Sequence, residues 1–553
     1  MNRVLLLRRG ADVEAREYDD DGGSPVGVTR VAAVELAGFV REREATPVRW
    51  VWDDTTRWYP ALLEAGVRVE RCTDLRLAHA VLRRSPFVDQ SLLVAGDTPG
   101  WDALHPVTVT EHALFPLDDP ADRLDPVAEH ERQQSAVAAS AGQGRLGLLL
   151  AAESSGALVA AEMTSAGLPW RADVHERLLT DLLGPRPVPG ARPAVLERLL
   201  AEIRAAFDAP ALNPDSPGEL LRTLQGAGLP VADTRSWTLE QLDHPGLPAL
   251  LEFKKLTRLL TANGWAWLDT WVRDGRFRSW FLPGGVVTGR WASNGGGALS
   301  VPTQIRPAAE ADEGWRLVVA DVAQLEPRVL AGMSADAAMA EAARSTDLYE
   351  GMVASGAVAS RADAKVGMLG AMYGGTRGES GRMMPRLARR YPRAIALVEE
   401  AARAGERGEV VHTLLGRGSP LPSGEWAERA VELGEPADDG GSREDRDRRR
   451  RAWGRFTRNF VVQGTGAEWT LCWLADLRNR LWRLGGTGPV TERPHLVFFL
   501  HDEVLVHTPE HLAEQVAVEV RAAAETAGRL LFGAFPVDFP LDVAVVASWA
   551  DAG

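Results

Sequence analysis

Cysteine is nearly absent from this chain: only Cys72 and Cys472 occur among 553 residues, and they lie far apart in the sequence. Two distant cysteines exclude a disulfide framework and a cysteine-rich zinc site, and they are typical of a reducing cytoplasm. Long apolar runs are missing too, because no window approaches 18 uninterrupted apolar residues. The apolar run near the N-terminus is too short for a signal peptide. The sequence therefore predicts a cytoplasmic protein without a membrane span.

Positive charge is in deficit. Lysine and arginine number 62 against 76 aspartate and glutamate residues, which gives a net charge of −14. This balance is unusual for a protein that binds nucleic acid, but such binding depends on local rather than total charge. Arginines gather at residues 377–393 and again at residues 443–458, where aromatic residues are interleaved with them. These clusters fit either a solvated helical face or a nucleic-acid contact.

The length of the chain exceeds what one hydrophobic core supports, so we expect two or more domains. Residues 1 to about 150 alternate β-rich stretches with helical patterns, as an α/β unit does. We expect strands at 4–7, 48–52, 91–94, 280–287 and 541–546. We expect helical regions at 151–205, with a break at 184–193, at 216–263, with Ser216 as N-cap, and at 336–404 and 509–530. A loop is expected at 434–447.

A hairpin is predicted near the C-terminus. Two apolar runs, 496–500 and 504–506, flank His501, Asp502 and Glu503. Carboxylates between packed apolar strands are costly unless a metal or a hydrogen bond compensates them. A simple turn that favours aspartate would also explain this pattern. A second apolar strand, at 315–321, ends at Asp321, and two such strand-end acids are what a two-metal phosphoryl-transfer site needs.

A helix that carries two cations lies between these acids. Arg361, Lys365, Leu369 and Tyr373 are spaced by four and so share one helical face. Such a face can hold a polyphosphate at one end and stack on a flat base at the other. The alternative is an amphipathic helix whose cations extend along its apolar surface.

Together these segments resemble motifs A, B and C of the family A DNA polymerases. The matching residues are Asp321-x-x-Gln324-Leu325-Glu326-x-Arg328, then Arg361-x-x-x-Lys365 with Tyr373-Gly374, then His501-Asp502-Glu503. Weaker matches are Thr288-Gly289-Arg290, residues 250–257 and 413–417, and Arg455, Asn459 and Gln463-Gly464-Thr465. The resemblance covers residues 205 to 553, and the ordered set is far more specific than any one motif.

The resemblance implies a multidomain α/β and α+β fold. Residues 1–150 would form an RNase H-like domain of the 3′–5′ exonuclease type, and residues 151–553 a right-handed polymerase. Within the latter, the thumb would be about 190–285, the palm 286–345 and 460–553, and the fingers 346–459. A 5′-nuclease domain is not expected.

The implied chemistry is two-metal phosphoryl transfer. Asp321 and Asp502, with the Val322 carbonyl, would hold two Mg²⁺ ions, for which Mn²⁺ could substitute, and Glu503 would be the supporting acid. Arg361 and Lys365 would bind the triphosphate, with Lys365 as proton donor to pyrophosphate. The remaining nucleotide contacts would be Gln324, Glu326 as the gate against a ribose 2′-hydroxyl, Leu369 and Tyr373. The DNA contacts would be Arg290, Arg328, Arg455, Asn459, Gln463 and His501.

Several positions depart from the family pattern. Val322-Ala323 replaces Tyr-Ser, Leu369 replaces an aromatic residue, Tyr349 replaces a histidine, and residues 299–302 replace Gln-Asn-Ile-Pro. The aromatic residue normally packs on the incoming sugar. Our hypothesis is therefore that Leu369 alters the selection among deoxy-, dideoxy- and ribonucleotides.

The N-terminal domain resembles an exonuclease at residues 48–82 but lacks the acids that such an enzyme needs. Residues 3–10 contain no Asp-x-Glu, Trp58 stands where an aspartate belongs, and residues 135–150 contain no Tyr-x-x-x-Asp. The sequence thus predicts a domain without proofreading activity.

The sequence as a whole predicts a DNA-directed DNA polymerase for repair, gap filling or damage bypass. Its partners would be primer–template DNA and deoxynucleoside triphosphates, and it would act as a monomer on the nucleoid in the cytoplasm. The alternatives are a catalytically weak DNA-binding homologue, a bifunctional 3′–5′ exonuclease and polymerase, and an unrelated α/β enzyme.

Overall fold

The computed structural model describes residues 2–19, 24–94, 98–103, 123–375, 378–422, 443–486 and 488–552. The chain divides into two compact units. The first comprises Met1–Ala166, Phe281–Ala292 and Val318–Val545, and the second comprises Gly167–Trp280, Ser293–Leu317 and Val546–Gly553. Cys72 and Cys472 are both buried and free.

A five-stranded mixed sheet lies in the N-terminal part of the first unit. Its strands are β1 (Asn2–Arg9), β2 (Asp12–Tyr18), β3 (Gly27–Ala32), β4 (Val48–Trp52) and β5 (Cys72–Asp74), in the order β3-β2-β1-β4-β5. The first three strands are antiparallel, and β4 and β5 run parallel to β1. Val4 and Leu6 pack into one core cluster and Leu5 and Leu7 into another, because alternate side chains point to opposite faces. The continuous apolar run of β1 therefore reflects burial on both faces.

Six helices accompany this sheet: α1 (Leu36–Arg43), α2 (Thr55–Glu64), α3 (Leu75–Leu82), α4 (Thr98–Asp102), α5 (Pro126–Ala139) and α6 (Gln143–Ala166). The strands predicted at 4–7 and 48–52 are confirmed. The strand predicted at 91–94 is wrong, because Gln90–Leu93 is a 3-10 helix. Its cap, Asp89, accepts a hydrogen bond from the backbone N–H of Ser91 at 3.0 Å, which favours a helical turn.

Helix α6 is the core helix of the first unit. By length and composition it is the one helix in the described chain that could cross a membrane, but 67% of its most apolar 18-residue stretch is buried inside the protein. It packs against α2, α3, α5 and β5. Its apolar residues are therefore accounted for by the protein interior.

The second unit is mainly helical. Its elements are β6 (Leu168–Pro169), α7 (Ala172–Leu183), α8 (Ala194–Ala206), α9 (Pro217–Gly226), α10 (Ser236–Leu239), α11 (Leu247–Asn263), α12 (Trp265–Trp271), β7 (Val272–Arg273) and β8 (Arg276–Phe277). Trp170, His175, Trp267 and Phe277 form its aromatic core. The helix break predicted at 184–193 is confirmed. Ser216 lies at the N-cap of α9 as predicted, although its side chain makes no capping hydrogen bond.

A short two-stranded sheet follows, formed by β9 (Trp280–Leu282) and β10 (Ala292–Asn294). The strand predicted at 280–287 therefore ends earlier than expected. The chain turns back at residues 286–290, where the N–H of Val286 donates to the carbonyl of Arg290 at 3.1 Å. Gly289 adopts φ +87°, a conformation that favours glycine.

The catalytic-type motifs lie on a four-stranded sheet and its helices. The sheet contains β11 (Trp315–Val322), β12 (His495–Leu500), β13 (Glu503–Pro509) and β14 (Leu541–Val546), in the order β12-β13-β11-β14. The helices are α13 (Leu325–Ser334), α14 (Ala337–Ala343), α15 (Leu348–Ala354), α16 (Arg361–Tyr373), α17 (Gly378–Arg390), α18 (Pro392–Glu406), α19 (Arg443–Leu484) and α20 (Ala513–Phe532). The predicted hairpin and C-terminal strand are confirmed.

Helix α19, with 42 residues, is the longest element of the described chain. It packs against α6, α13, α16, α18 and α20, and so contacts both the N-terminal part of the first unit and the motif-bearing helices. Of the loop predicted at 434–447, residues 434–442 lie outside the described residues. The chain is helical from Arg443 onwards, where the loop was expected to continue.

Candidate active site

The hairpin and the adjacent strand bring the backbones of two aspartates together. Leu500 pairs with Glu503, which leaves only His501 and Asp502 in the turn. The N–H of Val322 donates to the backbone carbonyl of Asp502 at 3.1 Å, so Asp321 and Asp502 lie at neighbouring strand ends. His501 adopts φ +59°, which is uncommon for a residue with a side chain. The tight turn thus places Asp502 next to the end of β11, where Asp321 lies, and their joint role as metal ligands stays a prediction.

The electrostatic environment of Asp502 favours a bound cation. Burial raises the pKa of Asp502, the nearby Arg290 guanidinium lowers it, and the Glu326 and Glu503 carboxylates raise it further. Among the described residues, no group of three or more histidine, cysteine, aspartate or glutamate side chains is arranged to hold a metal by itself. Two strand-end carboxylates and backbone carbonyls are, however, the hard oxygen donors that Mg²⁺ takes alongside substrate phosphates. The donor set fits a site that substrate completes.

Glu326, in the first turn of α13, links three elements of the site. Its carboxylate accepts from the Arg290 guanidinium at 2.5 Å and from the Tyr373 hydroxyl at 2.8 and 3.0 Å. Burial and the Glu326 carboxylate both raise the pKa of Tyr373. Glu326 therefore connects the turn at 286–290, the helix after β11 and the end of α16.

The face predicted for α16 is present. Arg361, Lys365, Leu369 and Tyr373 are exposed, whereas Ala364, Gly367, Met368 and Ala371 between them are buried. Ser360 caps this helix by accepting from the N–H of Asp363 at 3.1 Å. The exposed face thus carries two cations, an aliphatic and an aromatic side chain in a line.

Arg361 is held by an acid that the sequence did not single out. Its Nε donates to Asp347 at 2.7 Å, and this hydrogen bond raises the pKa of Arg361. Asp347 also caps α15 by accepting from the N–H of Tyr349 at 2.8 Å. An aspartate just before a helical pattern is a cap signal that sequence reasoning could have used.

Arg455, Asn459 and Gln463 are spaced by four along α19 and so lie on one face. A side chain at Gly374, which ends α16 with φ +78°, would lie 2.6 Å from Cγ of Arg455. Asn459 lies beside Tyr373 and lowers the pKa of its hydroxyl. The structure thus brings α19 against the C-terminal end of the α16 face.

Two predicted site residues make structural hydrogen bonds. Arg328 is fully buried, and its guanidinium donates to backbone carbonyls of Ala323, Ala343, Ser345, Thr346 and Asp538. The structure therefore does not bring Arg328 to the surface, where the predicted DNA contact would require it. Gln324 caps α13 with φ +49°, and its side-chain oxygen accepts from the N–H of Leu348 at 3.0 Å. Both residues fix the helix that carries Glu326.

Sequence reasoning also missed two buried acids and their contacts with the segment 413–417. Arg417 donates to Glu153 at 2.6 Å, and Glu468 accepts from the N–H of Leu415 at 3.0 Å. An acid flanked on both sides by small and apolar residues, as at Glu153 and Glu468, was the available signal, because unpaired buried carboxylates are costly.

Comparisons with known proteins agree with this architecture. The sequence model described as DNA polymerase family A matches residues 194–551. The thermostable DNA polymerase I of Thermus filiformis is 27% identical over 333 residues, covering 55% of this chain and 36% of that protein. The thermostable DNA polymerase I of Thermus aquaticus is 27% identical over 398 residues, covering 63% and 43%. The chain thus spans less than half the length of these relatives.

A solved structure resembles nearly the whole chain. It is the POL domain of Pol1 from M. smegmatis in complex with DNA primer-template and dNTP, with a TM-score of 0.69 and 20% identity, covering 99% of this chain and 95% of that one. This likeness establishes the fold, including the multidomain α/β character expected from the sequence. The family match extends over more than half of the chain. This protein therefore belongs to DNA polymerase family A.

Proposed function

We propose that the protein is a DNA-directed DNA polymerase that adds deoxynucleotides to a primer 3′-hydroxyl. The observation that carries this proposal is the adjacency of Asp321 and Asp502 at two neighbouring strand ends. Phosphoryl transfer needs positioning and charge neutralisation, and this pair supplies anchored negative charge for cations. The names of the relatives and the DNA and dNTP bound by the structural neighbour support the same reading.

Asp321 and Asp502, with the Val322 carbonyl, would hold two Mg²⁺ ions, for which Mn²⁺ could substitute. When bound, such ions lower the pKa of an attacking hydroxyl and stabilise the charge on a leaving pyrophosphate. Glu503 supports the site with a further, mostly buried negative charge. Burial of Asp502 beside Glu326 and Glu503 makes this position unfavourable for an uncompensated carboxylate.

The exposed face of α16 suits the incoming nucleotide. Arg361 and Lys365 would bind the triphosphate, and Lys365 would donate a proton to the departing pyrophosphate. Leu369 and Tyr373 would face the sugar and the base. Glu326, fixed by Arg290 and Tyr373, would exclude a ribose 2′-hydroxyl.

The DNA would be read through its minor groove. Arg290, Asn459 and Gln463 offer donors for the acceptors that A·T and G·C pairs share there, so they test pairing geometry without selecting sequence. Arg455 and His501 would contact the DNA strands nearby. Arg328 is left out of this set because its guanidinium is already hydrogen-bonded to backbone carbonyls.

Primer extension on a gapped template tests this proposal. We expect the wild type to extend the primer. The rate of extension should fall by at least about 10³-fold in Asp502→Ala, because a metal-binding carboxylate is removed. Asp542→Ala should extend the primer at the wild-type rate. Asp542 is an exposed aspartate on β14 of the same sheet, which makes it a matched control. A wild type that binds primer–template without extending it would instead support the catalytically weak DNA-binding homologue.

The N-terminal part would lack exonuclease activity. The order and directions of its five strands support the RNase H-like assignment. The Arg8 guanidinium lies 5.2 Å from the centre of the Trp58 ring and donates to the Arg57 carbonyl at 2.7 Å. A cation and an indole at the positions where metal-binding acids are required disfavour a metal site. Release of nucleotide from a mismatched 3′ end, abolished by Asp53→Ala or Asp54→Ala, would support the bifunctional alternative.

The cellular setting is part of the same proposal. We place the protein on the nucleoid in the cytoplasm, as a monomer acting in repair, gap filling or damage bypass.

We also retain the division into an exonuclease-like domain at 1–150 and a polymerase at 151–553. Position 150 lies inside α6, so partial digestion with protease should cut at the exposed segment before that helix, around residue 141, and an absence of cleavage there would count against the division.

A further inference from the structure

A buried ion pair connects the N-terminal part of the chain to the segment that follows α18. Arg417 Nη2 donates to Glu153 Oε2 of α6 at 2.6 Å, and the two side chains are 9% and 1% exposed. Glu153 lies outside residues 194–551, which match the polymerase family. A polymerase-type segment is thus fixed by a residue from outside the family match.

Arg417 packs against the turn at residues 286–290, which carries Arg290. A side chain at Gly289 would lie 2.6 Å from Nε of Arg417, so the guanidinium and the turn are in direct contact. Glu153 itself touches the start of the turn, because a side chain at Gly284 would lie 2.6 Å from its Oε1. Both members of the ion pair therefore pack against residues 284–290.

The segment 413–417 is held on its other side by α19. The N–H of Leu414 donates to Thr465 Oγ1, and the N–H of Leu415 donates to Glu468, each at 3.0 Å. The Thr413 hydroxyl also donates to the Glu468 carboxylate. The segment that carries Arg417 is thus fixed by α19. The Arg417 side chain extends from this segment towards the turn, and its position depends on the ion pair with Glu153.

The contacts continue from the turn to the active site. Arg290 donates to Glu326 at 2.5 Å, and its charge lowers the pKa of Asp502. The next residue, Trp291, packs edge-on against Phe499 of β12, with ring centres 5.0 Å apart. The position of the turn therefore decides where Arg290 stands relative to the hairpin.

We propose that Glu153 is a positioning residue for minor-groove reading: it fixes Arg417, and through Arg417 the turn that presents Arg290 to the primer terminus. This inference rests on the proposed polymerase function. It gives the N-terminal part of the chain a role that requires no exonuclease chemistry, because the part supplies one buried carboxylate to the polymerase site.

The same helix provides a matched control. Glu162 of α6 is also buried and accepts from Arg478 of α19 at 2.6 Å. Arg478 otherwise contacts Tyr59 and the carbonyls of Val69 and Glu70, and none of these hydrogen bonds involves residues 284–290. Loss of charge at Glu162 should therefore cost stability without moving Arg290.

The test measures equilibrium binding to two primer–templates that differ at the primer terminus. One ends in adenine and the other in 3-deazaadenine, in which a C–H replaces the N3 acceptor of the minor groove. We expect the wild type to bind the adenine form at least about fivefold more tightly, and Arg290→Ala to bind both equally. Glu153→Gln should lose most of this preference, whereas Glu162→Gln should keep it. In a double mutant with Arg290→Ala, Glu153→Gln should change the ratio no further.

Two results would overturn the inference: a wild-type ratio in Glu153→Gln, or an equal loss in Glu162→Gln. If Glu153→Gln does not fold, Arg417→Lys replaces it, since lysine keeps the charge but cannot span the carboxylate and the turn. A wild-type ratio in that variant would again refute the role. Failure of the polymerase proposal is distinguishable, because it would appear as a wild type that shows the binding preference but does not extend the primer.

Discussion

At the scale of single residues, the candidate site depends on side chains that hold one another. Glu326 accepts from both Arg290 and Tyr373, and Asp347 holds Arg361 while capping α15. Leu369 lies between Lys365 and Tyr373 on the same exposed face and takes part in no such network. It is therefore the position where a substitution changes the exposed face of α16 with least effect on the rest of the candidate site.

We expect Leu369→Phe to change sugar selection by about tenfold, because one altered packing surface in a pocket has effects of this order. The measurement is the ratio of kcat/KM values for deoxy-, dideoxy- and ribonucleotides. Val366→Phe is the control: Val366 is 38% exposed against 39% for Leu369, but it lies off the line of Arg361, Lys365, Leu369 and Tyr373. Equal selectivity in the wild type and Leu369→Phe would refute our hypothesis.

At the scale of elements, the basic helix α17 has two distinct faces. Met383 and Leu387 pack against Gly367 of α16, where an added side chain would lie 3.0 Å from Leu387 and 3.6 Å from Met383. The solvent-exposed face carries Arg382, Arg386, Arg389 and Arg390. None of these four arginines pairs with an acid within the part of the chain that the structure describes. This face is thus a local positive surface on an acidic protein.

The arginine face of α17 should contribute to DNA binding through phosphates. Arg386→Gln and Arg390→Gln should each weaken binding and reduce the slope of log K against log salt concentration by about one. Arg407→Gln is the control, because exposed Arg407 is already paired with Glu409 at 2.6 Å. Unchanged salt slopes in both α17 variants would show that this face does not contact DNA.

The contact between the 413–417 segment and α19 should make stability depend on pH. Burial raises the pKa of Glu468 to about 7, although the hydrogen bonds from Thr413 and Leu415 lower it. A carboxyl group whose pKa is raised on folding stabilises the protein fully below its unfolded pKa, and this contribution is lost as the pH rises through about 7. Between pH 5 and 8 the wild type should therefore lose up to about 3 kcal/mol in its free energy of unfolding.

Glu468→Gln should remove this dependence, because the amide cannot ionise. The measurement is urea unfolding at several pH values for both proteins. Taking the difference between them removes the effects of other groups, including His130 and His175, whose burial lowers each pKa to about 4. A difference that does not vary between pH 5 and 8 would contradict the prediction.

At the scale of the whole molecule, α19 joins the N-terminal part of the first unit to the motif-bearing helices. Burial lowers the pKa of Arg478, but the Glu162 carboxylate and the Tyr59 hydroxyl outweigh burial and raise it. Glu162 responds in the opposite sense, and its pKa is lowered by Arg478 in spite of burial. Both shifts indicate a charged pair in the interior, where removal of one partner leaves the other uncompensated.

Glu162→Ala should therefore destabilise the protein by about 3–5 kcal/mol, the usual cost of leaving a buried charge without its partner. Urea or thermal unfolding measures this loss. Glu525→Ala serves as control, because Glu525 and Arg529 form an exposed pair 3.8 Å apart, which is worth less than about 0.5 kcal/mol. Similar losses in the two variants would show that the Arg478 network contributes little.

Several features of this protein follow from sequence because they depend on local pattern. The apolar runs around His501-Asp502-Glu503 determine a hairpin with a two-residue turn, and the four-residue spacing from Arg361 to Tyr373 determines an exposed helical face. The ordered set of motifs identifies the family, and with it the expected metal and nucleotide sites.

Tertiary structure decided what depends on contacts between distant segments. Arg328 and Arg290 are both arginines within polymerase motifs. Arg328 is hydrogen-bonded to five backbone carbonyls, whereas Arg290 reaches the candidate site. The pairing of Glu153 with Arg417 joins positions 264 residues apart, and no local pattern encodes it. Burial and partnership set the role of a charged side chain, because a charge is stable in the interior only where another segment compensates it.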